Sequence, residues 1–198
     1  MKLASHDSWS FKSPIKWWMK PFHFVAKCQS KKIKAQYEKY GAKLFDMRLR
    51  FEKDKWYVSH GSMLFTEIPY DDLEFLSGKG VMVRVLLEYN KEPKDSSIIE
   101  GKFYSICQSL QRQYPLIKFF GGNCKYKWSR IIYDFQNGKP QLIDEYSSMT
   151  SWFKSKNKFL RIIDDWIPWL YAKFHNKKNI KKYQNEDKYL FLDFVNIQ

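Results

Sequence analysis

Long apolar runs are missing from this chain. No window approaches the uninterrupted apolar length of a membrane span. After Lys2 the polar residues Ser5, His6 and Asp7 arrive where a signal peptide would need an apolar core. The expectation is a cytoplasmic protein without a leader, or one that lies on a membrane surface. Cysteine is scarce as well. Cys28, Cys107 and Cys124 are odd in number, widely spaced and free of any C-x-x-C pair, which argues against a disulfide framework or thiolate metal site and predicts reduced thiols. Repeats, low-complexity tracts and linkers are absent too, so residues 1–198 are expected to form one domain, long enough to bury a core. Histidine occurs only four times, and two of the four stand in unusual settings.

What the chain does have is positive charge. Lys and Arg number 35 against 21 Asp and Glu, a formal charge of +14. Such a surface attracts polyanions: phosphate, nucleic acid or anionic lipid headgroups. Lysine runs such as 154–158 and Lys177-Lys178 also serve plain solvation. Hydrophobic residues make up 44% and aromatics 19%, a composition that excludes general disorder.

Periodicity supplies the elements. From Lys43 to Phe51, Phe45, Met47, Leu49 and Phe51 share one face of a strand, and Leu44, Asp46, Arg48 and Arg50 the other. Trp56–His60 is a second strand, entered through the turn-prone segment 52–55. Gly80–Glu88 is a third, with Val81, Val83, Val85 and Leu87 opposite Met82, Arg84, Leu86 and Glu88. Further strand candidates are Met1–Ser5, Leu116–Phe120, Ile131–Phe135, Gln141–Asp144 and Tyr189–Val195. Helices are expected over Ser30–Tyr40, capped by Gly41, over Tyr70–Leu76, over Ser97–Gln113 and over Lys158–Phe174, where Pro168 should kink or split the last. Alternating strands and helices predict an α/β fold with a largely parallel sheet.

A doubly wound sheet needs both faces apolar, yet two of these strands carry charge on one face. Acid and arginine residues fit better inside a barrel, paired near its mouth. In such barrels the site lies at the C-terminal ends of the strands. His60 and Glu88 stand at strand ends, His6 follows the first strand, and Asp46 and Arg48 lie near the end of theirs. The fold class expected is therefore a compact TIM-type (β/α) barrel, distorted or short of a strand.

These residues resemble a known family. Ser5-His6-Asp7-Ser8, the segment FDMRLR at 45–50 and VSHG at 58–61 resemble, in order and spacing, the X-region signature of phosphatidylinositol-specific phospholipases C. That signature has a first histidine in a THDS-like motif, a D-I-R strand and a second histidine in an HG turn. Leu142–Tyr146 resembles a D-x-Y motif on the sixth strand of the bacterial enzymes. The likeness is concentrated in residues 1 to about 90.

The resemblance implies a phosphodiester-cleaving barrel enzyme. It implies that His6 is the general base, His60 the general acid and Arg48 the phosphate-binding arginine that replaces calcium in the metal-independent bacterial branch, so that no cofactor is needed. It implies that Asp7 assists the acid and Asp193 orients the base. Asp46, Glu88, Arg84, Asp144 and Tyr146 complete the expected substrate-facing set. Within it Arg84 reads first as an ion-pair partner of Asp46 or Glu88. Glu88, where the bacterial branch often has lysine and the calcium-dependent branch glutamate, stays open between substrate contact, metal ligand and ion pair. His23 and His175 read as surface residues.

The chemistry explains the residue types. Cleavage by an internal hydroxyl needs a base on the nucleophile and an acid on the leaving oxygen, and histidine serves either role near neutrality. Arginine offers a fork of donors to phosphate oxygens. The segment Ser13–Phe22 interleaves Trp17, Trp18 and Phe22 with Lys16 and Lys20. It reads first as a lid or core piece, with contact to a membrane surface and base stacking as alternatives. No specific nucleic acid is expected; a phospholipid headgroup is. Two other readings remain at this point: a glycerophosphodiesterase-type enzyme on the same barrel, and a basic aromatic module that binds anionic lipid or nucleic acid without catalysis.

Overall fold

The computed structural model describes residues 1–89, 92–123, 133–134, 140–147 and 167–198. Among the described residues nine strands form one sheet. They are β1 (Lys2–Ser5), β2 (Ala42–Glu52), β3 (Lys55–His60), β4 (Met63–Glu67), β5 (Met82–Leu87), β6 (Lys118–Asn123), β7 (Tyr133–Asp134), β8 (Leu142–Asp144) and β9 (Tyr189–Leu192). The helices are α1 (Ile33–Glu38), α2 (Tyr70–Leu76), α3 (Ser96–Gln113) and α4 (Pro168–Tyr183), with a 3-10 helix over Trp17–Val25.

The order along the sheet is β7-β6-β5-β2-β1-β9-β8, with the β3–β4 pair branching from β2. From β6 to β8 every neighbouring pair is parallel. Strand order advances in one direction, and β9, the last strand, returns to pair with the first. A doubly wound sheet reverses its order instead. This winding is that of a barrel. Among the described residues no pairing joins β7 to β8, so the described strands form an arc of it.

Two layers follow from the period-2 alternation. Phe45, Met47 and Leu49 of β2, Val83, Val85 and Leu87 of β5, and Phe119 of β6 face outward. There they pack with Leu73 and Leu76 of α2 and Phe103, Cys107 and Leu110 of α3. The opposite face starts with an apolar plug of Ala4, Leu44, Phe120 and Phe191. The next inward positions along the chain are charged. Register places Asp46 beside Arg84, and Arg48 beside Leu86. Gly121 lets β6 approach: at its φ of +150°, an added Cβ would stand 1.8 Å from the Val85 carbonyl oxygen.

β2 is long because it has two uses. Up to Leu49 it pairs with β5, and from Leu49 onward it pairs antiparallel with β3. The connecting residues Lys53 and Asp54 both have positive φ, 52° and 58°, the geometry of a tight primed turn. That hairpin carries the chain out and brings His60 back to the mouth of the barrel.

Some expectations need correction. The helix expected over Ser30–Tyr40 is confined to Ile33–Glu38. The segment 158–166 lies outside the described residues, and Pro168 does not kink a helix but opens one. At the first helical position its missing N–H costs nothing, and the helix runs past Phe174 to Tyr183. Most of the strand expected over Ile131–Phe135 also lies outside, with Tyr133–Asp134 described. β4 and the 3-10 helix were not foreseen. The core reading of Trp17 and Trp18 is overturned: they are 78% and 51% exposed. Cys28 and Cys107 are free, while Cys124 lies outside the described residues. Among the described residues no helix is long and apolar enough to cross a membrane.

Candidate active site

The barrel register assembles the site. Ser5 pairs with Phe45 on one side and Leu192 on the other, so His6 emerges between Asp46 and Asp193. The His6 N–H bonds to the Leu192 carbonyl at 3.1 Å, and the Ser8 N–H to the Asp46 carbonyl at 2.9 Å. Between them Asp7 takes the left-handed conformation, φ 43°, which aspartate tolerates better than most residues. The turn is locked by the Ser8 hydroxyl, which receives the Asp46 N–H at 2.8 Å and donates to the Ser5 carbonyl at 2.8 Å.

Each histidine has its own carboxylate. His6 Nδ1 lies 2.7 Å from Asp193 Oδ1. His60 Nδ1 contacts Asp7 Oδ2. The two rings stand 6.4 Å apart, centroid to centroid. Arg48 lies between the partners, with Nε 3.1 Å from Asp7 and 3.0 Å from Asp46, Nη1 3.1 Å from Glu88 and Nη2 2.5 Å from His6 Nε2. Arginine only donates, so His6 Nε2 carries the lone pair and Nδ1 the proton that Asp193 accepts.

Glu88 joins Arg48 to the other histidine. Its second oxygen receives the Gly61 N–H at 2.8 Å, directly after His60, where the chain turns with a positive φ of 59° that suits glycine. Below this layer Arg84 Nε donates to Asp46 Oδ1 at 2.8 Å, and its guanidinium lies 3.9 Å over the Phe191 ring. Asp144, at the end of β8, is 3.8 Å from Arg84 and its side chain is 54% exposed. Tyr146 stacks on His6, with centroids 3.6 Å apart and planes within 11°.

The residues expected from sequence are thus brought together: His6, Asp7, Asp46, Arg48, His60, Arg84, Glu88, Asp144, Tyr146 and Asp193 form one connected group. His60, Tyr146 and Asp144 are its solvent-facing members; the His60 side chain is 26% exposed. His23, expected at the surface, is half-buried and bonds the Ser10 carbonyl at 2.8 Å. His175 lies against Tyr171 on α4.

Environment drives the ionisable groups apart. Burial, reinforced by Arg48, holds His6 well below its ordinary value. Burial also acts to lower His60, but the charge and hydrogen bond of Asp7, with Glu88, carry it above the ordinary value. Burial would raise Asp46 too; Arg84 and Arg48 overcome it and hold the carboxyl far down. Asp193 is raised by burial, and burial pushes Tyr146 up to about 12. The geometry thus places an imidazole shifted down and one shifted up on either side of a guanidinium.

One further residue belongs to the group. Cys28 is fully buried, with Sγ 3.7 Å from His60 Nδ1 and 3.9 Å from Asp7 Oδ2. Sequence gave no pointer to it, because it reaches the site through a loop after the 3-10 helix rather than from a strand end. His6, Asp7 and Cys28 offer ligand atoms within 4.8 Å of one another, the geometry of a small cation site. The Arg48 guanidinium against both His6 and Asp7 opposes a cation there.

No family model matches the chain, and no curated protein does. Solved structures do. The phosphatidylinositol-specific phospholipase C of Listeria monocytogenes is 15% identical, with a TM-score of 0.57 over 98% of this chain and 88% of that one. A point mutant of the Staphylococcus aureus enzyme is 17% identical, with a TM-score of 0.58 over 97% of this chain and 84% of that one. This chain has the fold of the bacterial phosphatidylinositol-specific phospholipases C.

Proposed function

We propose that the protein cleaves a phosphodiester by acid–base catalysis, with a phospholipid headgroup as substrate. One observation carries this reading above the others. Two histidines, each backed by its own carboxylate and shifted in opposite directions, flank one buried arginine. Pairs of titratable groups pushed apart by their surroundings mark acid and base assignments.

In this reading His6 is the base, His60 the acid and Arg48 the phosphate ligand. The bond between Arg48 Nη2 and His6 Nε2 is the one a substrate displaces: the guanidinium turns to a phosphate oxygen, and the freed Nε2 accepts the nucleophile's proton. The leaving oxygen takes its proton from His60, at the more open side of the cluster. Asp193 and Asp7 fix the two imidazoles and stabilise whichever is charged. Asp46 and Arg84 support Arg48 from below, and Glu88 ties it to the His60 turn. Asp144 and Tyr146 line the side where a headgroup enters.

No calcium is required in this reading, because Arg48 supplies the positive charge. Exposed Trp17, Trp18, Phe22 and Phe24 beside lysines supply a surface for peripheral contact with anionic lipid. The test is release of a water-soluble headgroup phosphate from vesicles containing phosphatidylinositol. Cleavage should proceed undiminished in EGTA. Loss of activity in EGTA that calcium restores would contradict the arginine's role. Cleavage of glycerophosphodiesters with phosphatidylinositol left intact would move the chain to the glycerophosphodiesterase reading, and salt-sensitive binding without turnover would leave a binding module.

A further inference from the structure

We propose that Cys28 is a positioning residue for the acid–base pair, its thiol holding the carboxylates of Asp7 and Asp193 in place behind His60 and His6. The inference rests on the acid–base reading above and adds a residue that reading did not use.

The backbone of Cys28 is tied to both carboxylate-bearing turns. Its carbonyl receives the N–H of Phe194, the residue after Asp193, at 2.6 Å. Its N–H points to the hydroxyl of Ser10, three residues after Asp7, at 2.9 Å. Gln29 extends the tie: its side-chain amide donates to the carbonyls of His6 and Leu192 at 3.1 and 2.9 Å, and its oxygen receives the Val195 N–H at 3.1 Å. The Sγ atom therefore has a fixed place in the strand mouth, where β1 and β9 end.

The groups facing that sulfur are Asp7, Asp193, His60 and Arg48. Burial, followed by Asp193 and Asp7, pushes the thiol well above its ordinary value, so it stays neutral and keeps its proton. A neutral S–H beside both carboxyl groups is a donor they can share: it lies 3.9 Å from Asp7 Oδ2, and the Phe194 tie sets it against Asp193. Sharing suits the reaction. As the nucleophile's proton moves to His6 and a proton leaves His60, the net positive charge shifts from the Asp7 side to the Asp193 side. A single rotatable S–H can then turn from Asp193 to Asp7, which has lost its charged partner. No bond to sulfur forms or breaks.

The test compares Cys28→Ala and Cys28→Ser with the parent protein in two measurements. The first is kcat and KM on a phosphodiester. The second is the NMR signals of the imidazole N–H protons that His6 gives to Asp193 and His60 to Asp7. The account predicts that C28A lowers kcat about 10- to 100-fold with KM little changed, and displaces both N–H signals. C28S, which keeps a donor, should retain both signals and recover most of kcat. Unaltered signals and kcat in C28A would overturn the proposal. So would losses in C28A and C28S that merely follow their melting temperatures. Should C28A fail to fold, a folded C28S without the two signals overturns it alone, and one that keeps them supports it. Absence of turnover in the parent protein would sink the enzymatic reading, whereas the NMR comparison still decides the role of the thiol.

Discussion

His6 and His60 sit in one cluster yet are shifted in opposite directions: burial, helped by Arg48, lowers His6, whereas burial is outweighed by Asp7 at His60 and raises it. Arg48 faces His6 Nε2, while the Asp7 carboxylate faces His60. The proposed reaction needs His6 neutral and His60 protonated. Activity should therefore rise with pH through a value below the ordinary 6.5 and fall through one above it, giving a bell with a broad top near neutrality. A pH profile of kcat/KM checks this, and a profile falling steadily from pH 5 would contradict it. The same shifts act on stability with opposite signs. His60, raised by folding, contributes below pH 6.5 and loses that contribution as pH climbs through its folded value. His6, lowered by folding, withdraws stability as pH falls below 6.5. Arg48→Lys keeps the charge and loses the fork, so kcat should fall by about 10²-fold. An unchanged kcat would show that Arg48 only neutralises Asp46 and Glu88.

At the scale of elements, β2 was the most legible piece of the chain. Its strict alternation exposes an apolar outer face and a charged inner one, and the structure puts Asp46 and Arg48 where that pattern places them. The D-x-R spacing and the His-Gly turn were readable through their resemblance to the phospholipase C X-region; of these residues Gly61 alone takes a positive φ, 59°. Cys28 was not readable. Its position depends on hydrogen bonds to Ser10 and Phe194, distant in sequence, and no local periodicity records them. β4 went unseen for a related reason: its partner is the β3 edge, and the short run MLFTE alternates too briefly to register. The 3-10 helix was misjudged because tryptophan is usually buried, whereas here Met19 packs on the core, Lys16 pairs with Glu52 and His23 bonds the Ser10 carbonyl, leaving the Trp17 and Trp18 rings outward. Trp17→Ala with Trp18→Ala should weaken adsorption to anionic vesicles by about tenfold or more and leave turnover of a soluble phosphodiester within about twofold. Equal loss on both, with a lowered melting temperature, would return the segment to a structural role.

For the molecule as a whole, charge is distributed on two levels. The overall charge is +14, yet the barrel mouth holds four buried carboxylates, Asp7, Asp46, Glu88 and Asp193, against the guanidiniums of Arg48 and Arg84. In the proposed reading the surface draws in an anion, and the interior accepts it where Arg48 exchanges a partner for it. Removing one member of such a buried network costs about 3–5 kcal/mol, so the ion pairs hold the site's shape as well as its chemistry. The most direct test of the central claim, that His6 and His60 are base and acid of one site, is turnover of His60→Ala on two phosphodiesters differing in leaving group. General acid catalysis is worth about 10²–10⁴-fold, and the account predicts a loss of that order on an alkyl phosphodiester, with much of it regained on a nitrophenyl phosphodiester that needs no proton. His6→Ala should show no such rescue. Equal losses of His60→Ala on both substrates would contradict the account.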